Sequence, residues 1–253
     1  MRHYITLLRH EIWKLFINPS TYIAAFLFLL IMGFMFSWLL DLYSTSPQDS
    51  SPSITFFRLF FIPVFFMVPL LTMRSVAEER SSGTIENLMT TPVTATEVIL
   101  SKFTAGYLYY ITLWLFTASF HIIFFTFAQE NTSVDPYPIA GGYLFIAISG
   151  ILFISLGIFA SSLTESQLVA GIVSFTLVFA FIIGGSSLNE LIVVIDTQPA
   201  WLDALSRHTN SMDHMNDFSS GVLDSRAFVF YISSAIFFLF LSVLVIEYRE
   251  GGV

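Results

Sequence analysis

Six long stretches of the chain are apolar and almost free of charge. A membrane-spanning helix needs roughly 20 mostly apolar residues. The second stretch carries Arg58 close to one end and also contains Pro63 and Pro69. No segment alternates between apolar and polar positions over ten residues, as the strands of a membrane barrel do. The pattern predicts an all-α membrane protein with six transmembrane helices, near residues 20–40, 54–73, 103–128, 139–162, 167–189 and 227–246.

The distribution of lysine and arginine predicts the orientation of these helices, because cytoplasmic loops carry an excess of both. With both termini inside, the three outer basic residues are Arg58, Arg207 and Arg226. The seven inner ones are Arg2, Arg9, Lys14, Arg74, Arg80, Lys102 and Arg249. Ten of the 18 acidic residues fall outside. We therefore predict a multi-pass protein of the cytoplasmic membrane, whose acidic outer face is either a solvated loop surface or attractive to cationic ligands.

The N-terminal segment 1–18 is amphipathic. Asn18-Pro19 ends the predicted helix, because the residue before proline disfavours the helical conformation. An apolar stripe with a basic excess suits a helix that lies in the cytoplasmic membrane interface. The alternative is a basic anchor that only sets topology. The stripe consists of Ile5, Leu8, Ile12, Leu15 and Phe16.

The inner loop 74–102 contains more helix signals than a simple connection needs. Ser81-Ser82-Gly83 ends one helix, and Thr84 can cap a second, short one that Thr91-Pro92 ends. The sequence from Thr94 to Glu97 has the form of a capping box, in which each residue bonds the other's backbone. We interpret the loop as a short docking helix presented to a cytoplasmic partner. The alternative is an ordered loop that packs on its own bundle.

The outer segment 190–226 contains two short apolar pieces, Leu191–Ile195 and Pro199–Leu205. Both are too short to span a membrane. Such pieces are typical of re-entrant or interfacial helices, which are tolerated at membrane depth only where protein buries their backbone. Trp201 would then lie at the level of the lipid headgroups.

Composition narrows the class further. Hydrophobic residues make up 55% of the chain and charged residues 11%, against roughly 45–50% and 25% in soluble domains. These values exclude an ordinary soluble enzyme and a disordered protein. The net charge of −8 excludes the basic footprint of a nucleic-acid binder. Since the chain has no cysteine, it has no disulfide, thiolate metal site or cysteine nucleophile.

The sequence contains little that could perform chemistry. It lacks the phosphate-binding loop G-x-x-x-x-G-K-[ST] and the zinc motif H-E-x-x-H. His208 and His214 are six positions apart and do not share a helical face, so they are a weak metal signal. His121 is interpreted as a packed, hydrogen-bonded residue rather than a base. No carboxylate lies in the middle of a span, which argues against an ion-coupled carrier. The energy for transport is therefore expected to enter at the inner loop.

The inner loop follows the pattern MR…AEER…GT-x-E-x-L…PV…K. Two other stretches agree with it, from Phe16 to Tyr22 and from His214 to Tyr231, with Met215 as a departure from the usual Phe. Together they resemble the permease subunits of type-two ABC transporters, especially the branch of gliding-motility and copper-oxidase-maturation permeases. The pattern consists of Met73-Arg74, Ala77-Glu78-Glu79-Arg80, Gly83-Thr84, Glu86, Leu88, Pro92-Val93 and Lys102.

This resemblance implies a single permease domain over residues 1–253, with re-entrant helices before the last span and no catalytic residue of its own. It implies an ABC ATPase partner that holds ATP and Mg²⁺, and a second permease chain, identical or different. The expected function is an ATP-driven exporter; the alternative is a membrane scaffold that anchors an ATPase-containing machine. The region that would couple to the ATPase comprises Arg74, Glu78, Glu79, Arg80, Gly83, Thr84, Glu86, Leu88 and Pro92.

Overall fold

The computed structural model describes residues 2–45, 51–85, 93–127, 136–194 and 208–250. The regular elements in these ranges are helices, which confirms the predicted all-α class. In chain order they are α1 (Arg2–Ile17), α2 (Pro19–Thr45), α3 (Pro52–Arg58), α4 (Phe61–Thr72), α5 (Ala77–Ser81), α6 (Ala95–Phe127), α7 (Pro136–Ser162), α8 (Gln167–Val194), α9 (Ser211–Ser219) and α10 (Ser225–Glu250).

Within the described residues, six segments are long and apolar enough to cross a membrane. Their number and order agree with the prediction. Their ends differ by a few residues, except in the second one and at the start of the third, which begins eight residues before the predicted position. These segments are Pro19–Thr45, Phe61–Ser81, Ala95–Ile123, Tyr137–Ser162, Gln167–Ser186 and Ser225–Arg249.

The second predicted span, 54–73, is broken near its start, because α3 ends at Arg58 and α4 begins at Phe61. Pro63 lacks the N–H that would bond the carbonyl of residue 59 in a continuous helix. The guanidinium Nε of Arg58 donates to Asn216 Oδ1 of α9 at 3.0 Å. The break therefore separates this charged side chain from the apolar span, which instead continues through a turn into α5.

Helix α7 is the central helix of the bundle. In its most apolar stretch 78% of the residues are buried, against 28%, 28% and 22% in α2, α8 and α10. Two glycines allow its neighbours to approach closely. A Cβ on Gly150 would overlap the ring of Tyr110, and one on Gly157 would overlap the side chain of Thr72. The exposed apolar faces of the outer helices are the surfaces available to lipid or to another chain.

The N-terminal segment forms α1 and ends where Asn18-Pro19 predicts. Leu8, Ile12 and Leu15 of the predicted stripe are partly buried, and α1 packs mainly against α6. Ile5 and Phe16 instead remain exposed, at 64% and 50%. The helix therefore has one face on the bundle and an apolar flank beside it, as an interfacial helix requires.

The outer segment differs in part from its prediction. Residues 191–194 continue α8, so the first apolar piece is not a separate re-entrant helix. The second piece, with Trp201, lies outside the described residues. Helix α9 packs against α7, α8 and α3. A Cβ on Gly141 of α7 or on Gly185 of α8 would overlap backbone carbonyls at Phe218 and Thr209. Protein thus buries the backbone at α9, as a re-entrant helix requires.

His121 of α6 is a packed residue, in agreement with the prediction. Its Nδ1 lies 3.4 Å from the hydroxyl of Tyr143, which lies 3.0 Å from the hydroxyl of Thr117. The imidazole also stacks on Phe57, with ring centroids 5.4 Å apart. These contacts pack the imidazole against aromatic side chains and give its Nδ1 a hydrogen-bond partner.

Candidate functional site

Helix α5 lies at the centre of the predicted coupling loop and is held by residues from other helices. Its N-cap, Val76, has no side-chain oxygen to bond the first amides. The hydroxyl of Ser161, near the end of α7, accepts from the backbone N–H of Val76 and of Ala77, both at 3.0 Å. The same hydroxyl donates to the carbonyl of Met73 at 3.3 Å. A side chain of α7 therefore caps α5.

The end of α5 agrees with the predicted break. The N–H of Ser82 bonds the carbonyl of Glu78, and the N–H of Gly83 bonds that of Arg80, both at 3.1 Å. Gly83 has φ +67°, a left-handed conformation that favours glycine. The hydroxyl of Thr84 donates to the carbonyl of Glu79 at 3.1 Å. These bonds satisfy the last carbonyls of the helix.

Glu79 points away from solvent and into a cluster of charges. Its Oε1 lies 2.6 Å from Nζ of Lys102 in α6 and 3.2 Å from Nζ of Lys14 in α1. Lys102 also lies 2.7 Å from Oε1 of Glu11 in α1. We call Glu11, Lys14, Glu79 and Lys102 the ionic junction. It connects α1, α5 and α6.

The ionic junction is balanced, since its two acidic and two basic side chains cancel in formal charge. Lys102 has no exposed side-chain surface, and Glu11 and Glu79 expose 13% and 16% of theirs. Burial of a single charge costs several kcal/mol, which is recovered only where partners and hydrogen bonds are well placed. Oε2 of Glu79 is buried without a hydrogen-bond partner among the described residues, whereas the short Lys102 distances supply the charged partners. The junction can therefore hold three helices in one arrangement.

Arg80, the next residue, contacts a different neighbour of α5. Its side chain is buried, and its Nη1 donates to the backbone carbonyl of Ser162 at the end of α7. Together with Ser161, this contact fixes α5 to α7. Glu79 and Arg80 thus contact their own bundle, as the interpretation of an ordered, self-packed loop requires for these two residues.

Arg74 and Glu78 line a small cavity of about 40 Å³ beside the ionic junction. Nη1 of Arg74 donates to Oδ1 of Asn18 at 3.3 Å, which links the loop to the start of α2. The Oε2 atom of Glu78 is buried without a protein partner among the described residues. The cavity is polar and large enough for water, which can satisfy that oxygen.

Between α5 and the end of the described part of the loop at residue 85, the residues from Ser81 to Thr84 form an exposed turn. Of the predicted coupling residues, it contains Gly83 and Thr84. The described members of that set therefore form two groups. The anchored base consists of Arg74, Glu78, Glu79 and Arg80, and the exposed turn contains Gly83 and Thr84. Glu86, Leu88 and Pro92 lie outside the described residues, and so does the body of the predicted docking helix.

The capping box at the start of α6 is confirmed. The N–H of Glu97 donates to the hydroxyl of Thr94 at 3.2 Å, and the N–H of Thr94 donates to Oε2 of Glu97 at 3.3 Å. These reciprocal bonds fix where α6 begins. They also set the position of Lys102 less than two turns further along.

The predicted coupling set omitted five residues of this site: Glu11, Lys14, Lys102, Ser161 and Ser162. Of these, Lys102 belongs to the family pattern but was not assigned to that set. A signal existed for Glu11, because its spacing places it on the face of α1 that carries Leu8 and Leu15. Lys14 lies away from that face. None existed for the two serines. Among the described residues, no three His, Asp or Glu side chains converge as metal ligands.

The chain that carries this loop is similar to known transporter proteins. The probable multidrug ABC transporter permease YbhR of Escherichia coli, in strain K12 and in O157:H7, is 25% identical over 159 residues. The match covers 61% of this chain and 39% of the relative, so the chain spans about two fifths of that protein's length. The model of the ABC-2 family transporter protein matches residues 39–206, about two thirds of the chain. The chain therefore belongs to the ABC-2 transporter family, as a permease-type membrane protein.

Proposed function

We propose that the chain is the membrane-spanning permease subunit of an ATP-driven exporter. A separate ABC ATPase, which holds ATP and Mg²⁺, docks on the loop 74–102, and a second permease chain completes the path. The cytoplasmic membrane is the expected location, with both termini inside. Family membership supports the permease role, and the pattern in the inner loop supports the branch of gliding-motility and copper-oxidase-maturation permeases.

One observation carries the coupling role, namely the contrast between the exposed turn and its anchored base. Ser81 to Thr84 are exposed, whereas Arg80 is buried and Glu79 lies in the ionic junction. A surface that only connected two spans would not need contacts to α1, α6 and α7. A partner that pushes or pulls the turn acts on all three helices at once. This arrangement favours a docking point for a protein that does mechanical work.

Copurification tests the partner. The tagged chain, extracted from its native membrane in mild detergent, is expected to bring down an ATPase chain with a phosphate-binding loop. Purification without any such chain would contradict the proposal. The Gly83→Pro variant is expected to insert normally and to lose stimulation of the ATPase, because proline cannot adopt φ +67°. Gly184→Ala is the matched control, because its Cβ meets no atom within 4 Å.

Transport in inverted vesicles separates an exporter from the alternative scaffold. Because the Escherichia coli relative is named a multidrug permease, a hydrophobic fluorescent dye is a suitable first probe. An exporter accumulates the dye with ATP and loses this activity with Gly83→Pro. A scaffold leaves dye distribution unchanged while ATP hydrolysis by its partner continues.

A further inference from the structure

Ser161 differs from the other buried serines of α7. The hydroxyls of Ser149, Ser155 and Ser162 donate to the carbonyls of Phe145, Leu152 and Phe159, all within α7. The Ser161 hydroxyl instead accepts two N–H groups of the loop and donates to a carbonyl of the same loop. It is fully buried. Its role therefore concerns the attachment of α5 and not the geometry of its own helix.

Helix α7 connects this attachment to the opposite end of the bundle. It has 27 residues, which corresponds to a length of about 40 Å. At its other end α7 packs against α9 and α3. There a Cβ on Gly141 would overlap the Phe218 carbonyl of α9, and one on Gly142 would overlap the ring of Phe57 in α3. Close backbone contact leaves little freedom for α7 to move independently of α9. A displacement of Ser161 along the helix axis therefore reaches α3 and α9.

We infer that Ser161 is a positioning residue through which displacement of α5 passes to α7 and on to the α9 end. The inference rests on the proposed function, because an ATPase must move α5. It assigns Ser161 as the residue at which that movement passes from the loop to α7, beside the ionic junction that ties the loop to α1 and α6. Arg80, bonded to the carbonyl of Ser162, supports the same attachment.

Spin labels test this inference, and the lack of cysteine in the chain makes single-site labelling straightforward. One label is attached at Ser82→Cys, in the exposed turn, and the other at Tyr137→Cys, at the far start of α7, where 77% of the side chain is exposed. Each is measured in the complex with its ATPase, before and after a non-hydrolysable ATP analogue and Mg²⁺ are added. In the unmodified background, both spectra are expected to change.

Ser161→Ala is expected to preserve the change at residue 82 and to abolish the change at residue 137. Loss of the acceptor leaves two buried amides without their partner. The equilibrium constant for attachment of α5 to α7 should therefore fall by roughly tenfold or more. Ser162→Ala is the matched control, because it is adjacent and equally buried and its hydroxyl bonds only its own helix. It should leave both changes intact, and Ser161→Thr, which retains the hydroxyl, should restore the change at residue 137.

A change at residue 137 in Ser161→Ala as large as that in Ser162→Ala would overturn the inference. Should Ser161→Ala lower the yield of inserted protein, Arg80→Met carries the same test, because it removes the second contact with α7. Failure of the proposed function has a different signature. In that case the analogue changes neither label in the unmodified background, or no ATPase is present in the complex.

Discussion

The ammonium group of Lys102 binds the carboxylate of Glu79 at 2.6 Å and has no exposed surface. The same ammonium lies 2.7 Å from Glu11. One cation of α6 therefore holds carboxylates from two other helices, and each carboxylate depends on it. This dependence makes Lys102 the most sensitive member of the ionic junction.

Lys102→Met is expected to destabilise the protein by about 3–5 kcal/mol, because it leaves two carboxylates buried without their main partner. Lys14→Met is the matched control. Lys14 is also bonded to Glu79 but is 32% exposed, and such an ion pair contributes about 1 kcal/mol or less. Thermal unfolding in detergent measures both. Equal losses in the two variants would contradict a dominant role for Lys102.

Substitutions at Gly83 are expected to follow backbone preference and not side-chain size. A Cβ there meets no atom within 4 Å, but φ is +67°. Asn tolerates this conformation better than Ala does. Stimulation of the ATPase should therefore decrease from Gly83→Asn to Gly83→Ala to Gly83→Pro. An order set by volume, with Ala more active than Asn, would indicate that the turn needs space and not a left-handed residue.

The adjacent glycines of α8 should respond in opposite directions to alanine. Gly184→Ala is expected to stabilise the protein by about 0.5–1 kcal/mol, since alanine is the better helix former and the site is open. Gly185→Ala places a methyl group against the carbonyl of Thr209 and should be clearly destabilising. Unfolding temperatures of the two variants, compared with the unmodified chain, decide the matter. Two changes of the same sign would contradict the packing of α9 on α8.

The stability of the α9 region should fall in acid because of His214. Burial lowers the pKa of His214 from its ordinary value of 6.5, against the opposing effect of Asp217, Asp224 and Asp213. The unfolded chain therefore binds the proton more readily, so stability decreases as pH falls below about 6.5. Resistance of this region to proteolysis at about pH 8 and about pH 5.5 measures the effect.

His214→Gln removes the titrating group and should flatten this pH dependence. His208→Gln is the control. His208 is exposed, precedes α9 and is the smallest contributor to the lowered pKa of His214, so its loss should change the profile only slightly. An unchanged pH profile in His214→Gln, or a flat profile in His208→Gln, would assign the acid sensitivity to another group.

Local signals in the sequence predicted the local structure well. The apolar runs predicted the spans, Asn18-Pro19 predicted the end of α1, and the spacing from Thr94 to Glu97 predicted the capping box. Each depends on residues a few positions apart, whose backbone and side-chain chemistry fixes the result. The break before α4 was missed because Pro63 is also tolerated within a continuous span. The contact of Arg58 with Asn216, which favours the broken arrangement, lies 158 positions away along the chain.

The directions of Glu79 and Arg80 could not be predicted from the sequence. Both stand in one acidic and basic run that is equally compatible with an exposed surface. Their partners Lys102 and Ser162 lie 23 and 82 positions away along the chain. Ser161 resembles the other serines of α7 in every local respect, and only the packing of α5 against it distinguishes its role.

The ionic junction also constrains the order of assembly during synthesis. Glu11 is synthesised 91 positions before Lys102. Because ribosomes add roughly 5–20 residues per second, Lys102 is made roughly 5–20 s after Glu11. During that interval α1 has no charged partner from α6, and its exposed flank with Ile5 and Phe16 is what can keep it at the bilayer surface. Only insertion of the third span closes the junction. The polypeptide therefore completes this end of the bundle late, after half of its membrane-crossing segments are in place.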